Sequence, residues 1–184
     1  MSETRSRAGL LVALAAAAGA FGAAAMMSAA TAPTARADDF TEIIDNVQTI
    51  DGYGQAAFST ADADFASNDV TAGLTSFFEG VDDYTLGGPD ELYIGTLQTL
   101  AGDPILSPTE LDFNSSITPP ADFTDAVTDV QIFSSDAETA FTGAATFLAS
   151  GDYVDAAFDN AGVSSDVDFA AEYLIIGAAE SLGF

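Results

Sequence analysis

Between Phe40 and Phe65 apolar side chains return with helical spacing, at Phe40, Ile43, Ile44, Val47 and Ile50 and then at Ala57, Phe58, Ala61 and Phe65. Such a recurrence predicts one helix with a single buried stripe, on which Phe58 and Phe65 are expected core residues. Asp39, just before the first apolar residue, is a candidate N-cap. The same phase returns from Phe123, Val127 and Val130 to Phe141, Ala144 and Leu148. Gly52 and Gly54 read as a break, yet Ser135 and Ala137 replace them in the second stretch, so each stretch is expected to form one long helix, kinked at most. Asn68-Asp69 and Gly151-Asp152 then supply a C-cap and the next N-cap.

The two stretches are copies. Laid over each other without a gap at an offset of 83 residues, 39–69 and 122–152 share 11 identities in 31 positions, against roughly three by chance, and self-similarity at a fixed period marks a duplication. A shorter helix is expected next in each copy, carrying Val70, Leu74, Phe77, Phe78 and Val81 in the first and Tyr153, Val154, Ala157 and Phe158 in the second. Gly87-Gly88-Pro89 then reads as the opening of a third helix, with Asp90 and Glu91 at the positive end of its dipole. That helix runs through Leu92, Ile94, Leu97 and Leu100 to Gly102, and its counterpart holds Leu174, Ile175, Ile176 and Leu182, now at an offset of 82, one residue shorter. The expected fold is all-α, a helical bundle of two tandem three-helix repeats. A half of this size buries a marginal core alone, so the halves should pack on each other.

The chain accordingly divides into a signal peptide over residues 1–37, a first helical repeat over 38–102, a Pro-rich linker over 103–120 and a second repeat over 121–184. The leader has the n-region, h-region and cleavage layout of secretion: Arg5 and Arg7, an uncharged run from Ala8 to Met27, and Ala35-Arg36-Ala37. Its arginines are not consecutive, which favours the general Sec route over the twin-arginine one. The run is long enough for an uncleaved anchor but Ala-rich, so cleavage after Ala37 is expected, with a secreted or cell-envelope destination. The linker holds four of the six prolines, with Ile105, Leu106, Leu111 and Phe113 available to pack it down.

Charge narrows the chemistry. Of 29 acidic residues only Glu3 precedes Asp38, whereas all three basic residues, Arg5, Arg7 and Arg36, do. From Asp38 onward no side-chain ion pair can form, and the fold must rest on apolar burial against self-repulsion. Nucleic acid and other anionic ligands are excluded as partners, because neutralising them needs Lys or Arg. Without Cys or His there is no thiolate and no common general base, no G-x-S-x-G elbow occurs, and no cofactor or catalytic residue is expected. Asp62-Ala63-Asp64, Asp82-Asp83 and Asp159, Asp166 and Asp168 read as solvated faces and caps with divalent cations as loose counter-ions. None fits an EF-hand loop, so no specific metal site is expected.

Asp38-Asp39-Phe40-Thr41, Ala57-Phe58, Phe65-Ala66 and Leu92-Tyr93-Ile94-Gly95-Thr96, behind the Ala35-Arg36-Ala37 leader, resemble small exported acidic proteins of the mycobacterial type. The resemblance implies an envelope or secreted location and supplies no catalytic residues. The functional expectation is a non-enzymatic binding or structural module with a protein or lipid partner. A first alternative is a carrier of an apolar ligand held between the repeats, with Phe77, Phe78 and Leu97 as contacts. A second is a carboxylate-only hydrolase, which needs two buried acids facing each other across a cleft.

Overall fold

A computed structural model describes residues 37–112 and 117–184; the leader through Arg36, its cleavage motif and Phe113 lie outside them. The described residues form helices and no strands, and none of the helices is long and apolar enough to cross a membrane. α1 (Ala37–Ala66), α2 (Val70–Asp82), α3 (Gly88–Ala101), α4 (Phe123–Ser150) and α5 (Tyr153–Leu182) follow in order.

Both long helices form as expected, and neither glycine breaks α1. Asn68 and Gly151 turn the chain with φ of 67° and 84°. Asp69 and Asp152 cap the helices that follow, accepting from Ala72 N at 3.1 Å and Asp155 N at 3.2 Å. Asp39 differs from its expected role. The backbone is already helical at Ala37, which places Asp39 in the first turn rather than at the cap; its counterpart Asp122 does cap α4, accepting from Thr124 N at 2.7 Å.

The third helix forms in the first copy, where α3 ends at Gly102 as expected, but is not a separate element in the second. In the second, α5 runs unbroken for 30 residues, because nothing after Asp152 removes a ladder bond. In the first, α2 passes into α3 through a π-helical turn over Asp83–Gly87, where the Gly88 N–H reaches back five residues to Asp83 O. A π-turn accommodates one extra residue without ending a helix. It thus coincides with the place where the offset between the copies falls from 83 to 82. Pro89, which has no N–H to lose, sits in the first turn after it. The units are therefore two αα-hairpins, α1 with α2–α3 and α4 with α5. Since α3 continues α2, its start is no free helix end, and Asp90 and Glu91 do not face a dipole terminus.

α2–α3 and α5 lie antiparallel along the seam between the hairpins. Thr71 Oγ1 at the start of α2 donates to Phe184 O at 3.4 Å. At the other end Ile94 and Leu97 of α3 pack on Ala157 and Ala161 of α5. Ile117 of the linker joins Tyr173 and Ile176 in a second buried cluster, against which Phe78 packs. Gly95 faces Ile43, and Gly177 faces Ala126, in corresponding places of the two hairpins.

The buried stripe of α1 is narrower than its apolar residues suggest. Ile43, Ile50, Ala57 and Ala61 are buried, spaced seven, seven and four residues apart, as in a seam against one partner helix. Phe58 and Phe141 are half-buried, and Phe65, expected in the core, is 39% exposed with its ring lying over Gly73. Gly54 and Gly80 bring α1 and α2 close enough that a side chain on either would meet the other's backbone oxygen at about 3 Å.

Candidate functional site

The last residue of α2 and the first of the π-turn are both acids, and both are inside. Asp82 is 1% exposed and Asp83 0%, which overturns the reading of this pair as a solvated face. The cause is positional: the turn that absorbs the extra residue lies against the seam, and Asp82 points from it toward α5. There it meets Glu172, itself 6% exposed. The two carboxyls interact directly across the seam. Two ionised carboxylates cannot share such an enclosure without a cation, so the pair must hold a proton.

Neither Asp82 oxygen, nor Glu172 Oε2, has a hydrogen-bond partner among the described residues. Burial, then the charge and closeness of Glu172, push the Asp82 carboxyl up to about 9. Burial also raises Glu172, to about 7, while its interaction with Asp82 pulls it partly back. Asp168 of α5 and Asp83 add charge of the same sign, and no side chain among the described residues is a cation that could offset them.

Glu79 of α2 is buried as well, and on α3 Glu91 is enclosed and Asp90 half-buried. Glu91 is fully buried on α3 and accepts from Asn46 Nδ2 at 2.8 Å, and the same amide donates to Leu106 O at 2.9 Å, pinning the linker to α1. Burial lifts Asp90 to about 6. At the shorter offset Asp90 is the counterpart of Glu172, so a carboxyl at this place is common to both copies.

No protein-family model matches the chain, and no curated protein and no solved structure matches it either. Its chemistry must be read from these groups themselves.

The expected apolar contacts do not converge. Phe77 is 41% exposed and rests on Phe58, with ring centroids 5.6 Å apart, and edge-on against Phe78 at 5.7 Å. Leu97 lies on α3 at the far end of the seam, 5% exposed. It lines a recess of about 400 Å³ together with Leu100, Tyr153 and Val154, but also Asp103 and Asp152. Neither phenylalanine reaches it. Among the described residues no three acids come together in a way that could hold a metal ion, so Asp62-Ala63-Asp64 and Asp159, Asp166 and Asp168 remain separate groups.

Proposed function

We propose that the chain is an exported, non-enzymatic acidic module that acts by binding, or by its presence, in the cell envelope or secretome. The observation that carries this reading is the enclosure of the Asp82–Glu172 pair. A general acid must touch its substrate, whereas these carboxyls are shut in the seam between the hairpins, and neither the recess at Leu97 nor the pocket beside Tyr173 includes them. They serve as a proton-dependent clasp, which weighs against the carboxylate-only hydrolase. The accessible surface offers carboxylates and apolar side chains instead. Phe40 and Phe123 are 44% and 47% exposed at matching positions of the two hairpins, and Ile44 and Val127 likewise stand outside the buried stripe.

The carrier reading keeps one favourable observation, the recess beside Leu97, although two carboxylates in its wall suit an apolar ligand poorly. Fractionation and cross-linking of the tagged protein in its native host test the principal reading. The expected result is a chain beginning at Asp38, found in the envelope or culture fluid and cross-linked to a partner through the Phe40 and Phe123 ends. An intact leader with cytosolic retention would contradict it.

A further inference from the structure

We infer that the pocket enclosed by Thr118, Pro119 and Pro120, α4 and the Tyr173 ring of α5 binds an organic cation, an alkylammonium group carried on an aliphatic stem. The proposal rests on the reading of the chain as a binding module and names the ligand chemistry.

The pocket has a volume of about 280 Å³, and Asp125, Asp129, Ile132 and Phe133 of α4 form one wall. Asp125, Asp129 and Phe133 follow one another at four-residue intervals, so helical geometry stacks two carboxylates and a ring along one face. The opposite wall is the Tyr173 ring, set edge-on to Phe133 at 4.9 Å between centroids. Its hydroxyl, on a side chain only 7% exposed, accepts the Thr118 N–H at 3.0 Å, which ties the linker over the rings. Asp125 is fixed in its turn by accepting the Ala121 N–H at 3.0 Å.

Carboxylates beside aromatic faces are the combination that recognises an ammonium group, through charge-assisted hydrogen bonds and cation–π attraction, while prolines and rings receive the stem. From Asp38 onward the chain has no side-chain cation of its own to occupy the place. Burial and the like charge of Asp125 push the Asp129 carboxyl up from its usual range, a penalty that a bound cation would relieve.

NMR titration of the protein with 1,5-diaminopentane, and separately with a blocked lysine tripeptide, at physiological salt decides it. The expected result is saturable shifts confined to Thr118, Asp125, Asp129, Phe133 and Tyr173. Asp129→Asn should weaken binding about tenfold or more, the loss expected for a charge-assisted hydrogen bond, while Asp62→Asn, the same charge change on an exposed face of α1, costs less than about twofold. Saturation by both probes would support a site for free amines, and saturation by the tripeptide alone would assign it to lysine side chains of a protein. Unsaturable shifts spread over all acidic faces, or equal losses in the two variants, would overturn the proposal. Cross-linking to a partner at the Phe40 and Phe123 ends would be unaffected by that failure, so the module reading stands or falls separately.

Discussion

Asp82 of α2 and Glu172 of α5 interact across the seam between the hairpins, and each carboxyl is almost wholly removed from solvent. An ionised carboxylate without a cation is too costly to bury, so such groups keep a proton instead. The seam therefore carries apolar clusters on either side of a buried acid pair that holds a proton.

Stability should fall as pH rises. Both folded values lie above those of the unfolded chain, near 4, so between about pH 4 and the folded values the native state holds more protons than the unfolded one. The contribution is complete in mild acid and lost as pH passes through about 7 for Glu172 and about 9 for Asp82. Every tenfold gain in proton affinity on folding corresponds to about 1.4 kcal/mol. Asp82→Asn keeps an N–H donor for Glu172 and removes the titration. Melting curves at pH 5 and pH 8 should show a steep loss for the native sequence and a shallower one for Asp82→Asn, which should be the more stable of the two at pH 8.

Much of this architecture is legible in the chain, and its omissions have identifiable causes. Asp69 and Asp152 announce the hairpin turns, since a capping side chain acts locally. Gly87-Gly88-Pro89 misleads because a turn signal and a π-turn draw on the same residues, and only the loss of one residue in the second copy, visible when Leu92/Leu174 is set against Phe58/Phe141, points to the insertion. Asp82 looks like any solvated acid in a chain full of them; its burial depends on which face of the extra turn meets α5. Phe65 outranks Ala57 and Ala61 in apolar area, yet helices that approach closely bury the small residues and leave the rings at the margin. Ile117 belongs to the core although its neighbours are prolines.

Two glycines in helices should respond in opposite senses. A Cβ on Gly177 would lie 2.5 Å from Ala126 Cβ and 2.9 Å from Asp122 O, atoms of a short side chain and a capped backbone that cannot yield. Gly177→Ala should cost about 1–3 kcal/mol despite better helix propensity. Gly52 has nothing within 4 Å, and Gly52→Ala should stabilise by about 0.5–1 kcal/mol. Urea unfolding of the two variants measures both.

Removing the extra residue should be tolerated where it was inserted and nowhere else. Thr85 is exposed within the π-turn, and its deletion restores α-helical register between α2 and α3, as in α5. Deletion of Ala170 from α5 instead rotates everything after it by about 100° about the helix axis, turning Tyr173 and Ile176 out of their cluster. Circular dichroism and melting should show a folded protein with a lowered midpoint for the first and loss of cooperative unfolding for the second.

The most direct measurement is a carbon-13 NMR titration of the side-chain carboxyls. With a proton held in the seam, the Asp82 and Glu172 signals should move together well above pH 5. Independent titration of Asp82 and Glu172 near pH 4, like any surface carboxylate, would contradict the clasp.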